Sequence, residues 1–229
     1  MSEIKARIED IRERIERAAG KAGRNAEDVR LMAVSKLKSA ETVEEAYRAG
    51  LRLFGENRIQ EAYEKFADFH ADAELHIIGH LQSNKVRKAA EIAACVQSID
   101  KLKTAAELQK RCAALDKVMD IYLEFNTSGE DTKSGYRSRD LLLSDIRQMS
   151  AFSHLRIRGL MTIGPFTNNE ALIRAAFQQL RGLFEEVRTV YPNIPMTELS
   201  MGMTSDFELA VEEGSTMVRV GTALFGTRS

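Results

Sequence analysis

Residues 29–50 read VRLMAVSKLKSAETVEEAYRAG: a short apolar run that stops at a lysine and passes into a helical pattern. The run Val29–Ser35 has the length and near-continuous apolarity of a strand buried on both faces. Ala40–Ala49 then carries the pattern of a helix. Together they make one strand–helix unit, and the fold is decided by how often that unit recurs.

It recurs along the whole chain. Further strand candidates are Leu51–Gly55, Leu75–Gly79, Cys95–Ile99, Val118–Phe125, Ile157–Ile163, Thr197–Met201 and Met217–Phe225. Helical patterns lie between them at Glu56–Phe69, Ser83–Ala93, Leu102–Leu115, Ser138–Met149, Asn168–Val190 and Ser205–Glu213. Thr167 with Glu170, and Ser205 with Glu208, have capping-box spacing and predict two helix starts. Ahead of the first unit, Ile4, Ile8, Ile11 and Ile15 form one apolar stripe on a helix that ends at Gly20 and Gly23. Eight strands, seven intervening helices and an extra leading helix predict a single (β/α)8 TIM barrel of α/β class. The competing architecture is an open doubly wound sheet, but no G-x-G-x-x-G follows the first strand.

The chain has 229 residues, near the short end for eight such units, which leaves little length for a second domain. With three prolines, no low-complexity tract and no linker, residues 1–229 are expected to form one domain. The chain ends at Thr227-Arg228-Ser229, directly after the eighth strand, so no second domain is expected to follow. The 33 basic and 34 acidic residues nearly cancel, which argues against a nucleic-acid or anionic-membrane partner. Residues 1–17 are charged throughout and lack the apolar core of a secretory signal, and no run approaches ~20 apolar residues. Cytoplasmic localisation is the expectation. Cys95 and Cys112 are too few and too far apart for a disulfide framework or a zinc site, and they read as small buried hydrophobes.

In a barrel of this kind the working face is formed by the C-terminal ends of the strands. Lys36 stands at the end of the first strand. A stem partly desolvated in the barrel mouth would lower its pKa and free the amine to attack a carbonyl, while a snorkelling lysine is the plain alternative. The seventh and eighth strands end in Ser200-Met201-Gly202-Met203-Thr204 and Arg219-Val220-Gly221-Thr222. Gly202 would let backbone approach a ligand. Hydroxyls of Ser200, Thr204 and Thr222 and the amide of Gly221 would cradle phosphate, while a plain turn glycine explains either strand end alone. Arg219 lies two residues before Gly221 and projects to the same side, either into a buried salt bridge or toward a ligand. His76 and His80 lack a third ligand for a metal, although His80 could line the mouth. Met201, Met203 and Met217 read as packing residues.

The segments Ala33-Val34-Ser35-Lys36, Phe54-Gly55-Glu56-Asn57, Ile78–Lys85, Lys133-Ser134-Gly135, Arg158-Gly159-Leu160-Met161, Leu199–Met203 and Met217–Thr222 together resemble the pyridoxal phosphate homeostasis protein family over essentially the whole chain. Thr204 departs from the serine usual there and keeps the hydroxyl. The resemblance implies the fold of the alanine racemase N-terminal domain (PLP fold type III) and pyridoxal 5'-phosphate held as a Schiff base on Lys36. It implies that Ser200, Thr204, Gly221 and Thr222 hold the phosphate and that Arg219 faces the pyridine nitrogen. Asn57, His80 and Met161 would line the ring pocket, and Lys133 would approach the same mouth.

Such an arrangement implies a carrier that buffers or delivers the cofactor rather than an enzyme. Arginine keeps its proton and so suppresses the electron sink that catalysis needs. PLP-dependent client enzymes are the implied partners of a monomer or weak homodimer. An amino-acid racemase and a Schiff-base aldolase acting on a phosphorylated sugar are the alternatives.

Overall fold

The structure is a computed structural model in which residues 2–226 are described. Residues 227–229, on which the expected absence of a second domain rests, lie outside the described residues. Helix α1 (Glu3–Lys21) comes first, followed by strands β1 (Arg30–Val34), β2 (Leu53–Glu56), β3 (Glu74–Ile77) and β4 (Cys95–Ile99). Then come β5 (Met119–Glu124), β6 (Leu155–Met161), β7 (Glu198–Met203) and β8 (Met217–Val220). All neighbouring strands pair in parallel, and β8 returns to β1, so the sheet closes in chain order. Intervening helices are α2 (Ala40–Arg48), α3 (Ile59–Phe66), α4 (Val86–Ile92), α5 (Leu102–Ala114), α6 (Arg139–Met149), α7 (Glu170–Val190) and α8 (Phe207–Glu212). No helix among the described residues is long and apolar enough to cross a membrane.

The apolar stripe of α1 is buried at Ile4, Ile8, Ile11 and Ile15, each side chain contributing about 1.5–3 kcal/mol of apolar burial. This face packs on α8 and on a ninth helix, α9 (Thr222–Phe225). Ser2 caps its first turn, and the helix ends at Lys21, so Gly20 lies inside it and Gly23 takes the left-handed turn beyond (φ 65°).

Period-two alternation sorts each strand into two environments. Outward residues such as Ala33, Ile77, Ile121, Leu160, Leu199 and Val218 belong to the core shared with the helices. Inward residues Met32, Val34, Cys95, Tyr122, Met161 and Met217 form a second apolar cluster inside the barrel. The same inward face carries buried His76, Gln97, Ser200 and Arg219.

Three local expectations need correction. The eighth strand stops at Val220, and Thr222–Phe225, predicted as strand, turns into α9. A four-residue apolar run fits either state by pattern, and the turn at Gly221 decides it. Thr167 is not the cap of α7: Asn169 accepts from the amides of Ala171 and Leu172, and Thr167 only braces Asn169. Ser205 does not cap α8 either, since Asp206 holds the cap position and turns its carboxylate to the Met203 amide (2.6 Å).

Gly159 in β6 lies opposite Glu198 in β7. A Cβ there would meet the carbonyl oxygen of Glu198 well inside contact distance. Gly159→Ala is expected to cost about 3 kcal/mol by wedging the two strands apart, read as a lower urea midpoint at unchanged m-value.

Candidate functional site

At the C-terminal end of the barrel the strand ends enclose a cavity of about 390 Å³. Lys36, Asn57 and His80 line one side, following β1, β2 and β3. Thr204, Ser205, Gly221 and Thr222 line the other, from the loops after β7 and β8. Arg219 forms part of the floor, and Glu124 from β5 and Ser134 from the loop after it complete the wall. A larger concavity of about 810 Å³ lies at the opposite end against α1, lined by charges of both signs such as Glu9, Arg12, Arg30 and Arg52. It lacks the convergence of strand C-termini that builds sites in this fold.

Lys36 reaches the mouth because Met32 and Val34 set the inward face of β1 and the chain turns immediately after it. Leu37 adopts a left-handed conformation (φ 61°) that a leucine enters only under restraint. The restraint comes from α3 and β2. Glu61 accepts from the Leu37 amide, and Lys65 Nζ donates to the Ser35 carbonyl (2.8 Å), to Glu56 (2.9 Å) and to Glu61 (2.6 Å). The Ser35 hydroxyl also donates to Glu56 (2.7 Å). The backbone on both sides of Lys36 is thereby pinned. Lys36 itself is exposed, so the desolvation expected of its stem is not supplied by the surrounding side chains.

Arg219 is 4 % exposed and donates to Ser200 Oγ and to the Thr162 carbonyl, both at 2.7 Å. Among the described residues no carboxylate pairs with it, so the salt-bridge alternative is not realised. Burial lowers its pKa to about 10, opposed by Asp206 and Glu124, and it stays protonated at neutral pH. Two of its five N–H donors are engaged, and the rest remain for the cavity it lines.

Glu124 was not singled out in the sequence. Its carboxyl accepts from Ser134 (2.8 Å), while its other oxygen is buried without a partner among the described residues. Burial raises its pKa, against Ser134 and Arg219, and thereby favours the neutral acid. Arg219 and the hydroxyls around it give the cavity donors that suit a phosphate monoester. The folded pKa exceeds the unfolded one, so the folded state holds the proton more tightly. Stability from this group falls as pH rises from the unfolded value through the folded one. Glu124→Gln is expected to flatten that slope, with its stability gain larger at pH 8 than at about pH 4 by thermal unfolding.

Several predicted residues lie elsewhere. Ser200 and Met161 are fully buried in the barrel interior and do not line the cavity: Ser200 serves Arg219, and Met161 joins the inner apolar cluster. Gly202 (φ 93°) packs directly against α8, where a Cβ would meet Ala210 Cβ at 2.5 Å and Phe207 Cα at 2.9 Å. Lys133 turns to the Gly164 carbonyl (2.9 Å) and Glu130 (2.6 Å).

The alanine racemase N-terminal domain family matches residues 7–229. A pyridoxal phosphate homeostasis protein of Pseudomonas aeruginosa is 45% identical over 232 residues, covering 100% of this chain and 97% of its own. The chain belongs to the pyridoxal phosphate homeostasis protein family. PipY of Synechococcus elongatus PCC7942, a structure with PLP bound, is 39% identical, with a TM-score of 0.82 over 93% of this chain and 100% of PipY. Alanine racemase of Clostridium difficile 630, at 12% identity and a TM-score of 0.72, shares the barrel fold over 94% of this chain and 55% of its own.

Within this homeostasis-protein barrel, two further residues escaped sequence reading for want of a stated rule. Gln97 lies in β4, where all five residues are buried, and a buried amide demands partners. Glu124 ends β5 at the working face, where a carboxylate also needs an explanation.

Proposed function

We propose that the protein binds pyridoxal 5'-phosphate through Lys36 and holds it for buffering or delivery, without turning over a substrate. The observation that carries this reading is the pairing, across one cavity, of a single lysine amine with a wall of hydroxyls and an arginine. The donor set fits the group at each end. Thr204, Ser205 and Thr222 offer hydroxyls and Gly221 an amide to the phosphate, while Arg219 offers N–H to the ring nitrogen. The partnerless oxygen of Glu124 offers a further contact within the same wall. When bound, the group supplies an electrophilic aldehyde and, if its ring nitrogen is protonated, an electron sink.

What the chain's own residues do argues for retention. Lys36 is held at the rim by the pinned backbone of Ser35 and Leu37. Arg219 remains a donor at neutral pH and withholds its proton from the ring nitrogen. The homeostasis-protein relatives and the PLP-bound PipY structure support this reading over a racemase. PLP-dependent enzymes are the recipients this role implies.

Protein mixed with pyridoxal 5'-phosphate and freed of excess is expected to retain one equivalent with a visible absorption band. Added amino acids in deuterated water should keep their α-hydrogen, as followed by proton NMR. Failure to retain the cofactor, or exchange at an enzymatic rate, overturns the proposal.

A further inference from the structure

A continuous line of hydrogen bonds runs through the barrel from the cavity floor to the opposite end. Arg219 Nη1 donates to Ser200 Oγ (2.7 Å), and Ser200 donates to Gln97 Oε1 (2.8 Å) across the interior from β7 to β4. Gln97 Nε2 meets His76 Nδ1 at 2.7 Å, His76 Nε2 meets Glu74 Oε1 at 2.7 Å, and Arg30 closes on the other oxygen of Glu74. Gln97 and Ser200 are fully buried, and His76 is 1 % exposed.

The direction of every bond follows from the arginine. A guanidinium only donates, so Ser200 must accept from it and send its own proton elsewhere. The acceptor on that side is Gln97 Oε1, which turns the amide nitrogen toward His76. His76 Nδ1 therefore accepts, and its proton sits on Nε2, facing a carboxylate. Burial lowers the His76 pKa against the pull of Glu74, which agrees with a neutral ring. The Glu74 carboxyl is drawn down to about 2, first by the His76 hydrogen bond and then by Arg30.

We infer that Gln97 is a positioning residue for Arg219, acting through Ser200 to fix how the guanidinium is presented to the cavity. The inference rests on the proposed cofactor reading for its consequence, but its geometry belongs to the cofactor-free chain. Without the Gln97 acceptor the Ser200 hydroxyl is free to rotate, and its lone pair is no longer held toward Arg219.

The test begins with 15N NMR of His76 in the protein without cofactor. A single neutral tautomer with the proton on Nε2 is expected at neutral pH. Gln97→Met removes the amide's bonds to Ser200, His76 and the Met217 sulfur at similar volume. It is expected to weaken pyridoxal 5'-phosphate binding about tenfold and to shift the visible band, as for one lost charge-assisted hydrogen bond. Gln97→Glu keeps the acceptor for Ser200 and places a second acceptor against His76. Binding should stay within about threefold while His76 Nδ1 gains a proton. A wild-type His76 protonated at Nδ1 overturns the inference, as does wild-type affinity and band position in Gln97→Met. If Gln97→Met does not fold, the wild-type tautomer and Gln97→Glu still decide. Wild-type protein that retains no cofactor defeats the cofactor reading alone, because the tautomer is read without it.

Discussion

Lys36→Ala is expected to abolish covalent retention of pyridoxal 5'-phosphate while leaving weak, reversible binding. Among the described residues Lys36 is the only lysine lining the cavity, and the neighbouring amines are committed elsewhere. Lys38 reaches the carbonyls of Phe225 (3.4 Å) and Gly226 (3.3 Å), Lys65 is tied to Ser35, Glu56 and Glu61, and Lys133 is held by Gly164 and Glu130. None can take over the role without breaking contacts. The hydroxyl wall and Arg219 are untouched by the substitution, so the phosphate end should still bind. An affinity loss of about a hundredfold or more, with no visible band, is the expected signature, measured by equilibrium dialysis and absorbance. A retained band would mean that another amine carries the attachment.

Lys65→Met should cost about 3–5 kcal/mol of stability, although Lys65 does not line the cavity. Its ammonium pairs with Oε1 of Glu56, a residue with no exposed surface whose Oε2 is buried without a partner among the described residues, and with Glu61, and it also holds the Ser35 carbonyl. Burial raises the Glu56 pKa, opposed chiefly by Lys65. With Lys65 gone, Glu56 must either keep an unpaired buried charge or take up a proton. The carboxyl's folded pKa would then lie further above its unfolded value. The penalty should be greatest at neutral pH and fade as pH falls toward about 4, where the unfolded chain is also protonated. Urea unfolding of both proteins at two pH values measures this. The same substitution releases the backbone beside Lys36, so slower attachment of the cofactor should accompany the lost stability.

Much of this was readable from the residues. Strands buried on both faces announce themselves as apolar runs, and Cys95–Ile99 was bounded correctly because charged and helical sequence flanks it. The run Met217–Phe225 was read too long because apolarity alone cannot separate a final strand from the helical turn that follows. Lys36, Asn57, His80, Thr204, Arg219, Gly221 and Thr222 were all brought to the cavity. Ser200 and Met161 were not, because inward-facing residues of a strand sit at different depths along the barrel axis. Alternation gives the face and not the depth. Gly202 looked like a ligand contact because a glycine reports close approach without naming what approaches. Gln97 and His76 carried no motif, and their pairing across strands appears only when the barrel closes.

The most direct measurement is borohydride trapping of the protein with pyridoxal 5'-phosphate, followed by peptide mapping by mass spectrometry. One stable adduct, on Lys36, is expected in stoichiometric yield. An adduct spread over surface lysines, or one absent from Lys36, would contradict it.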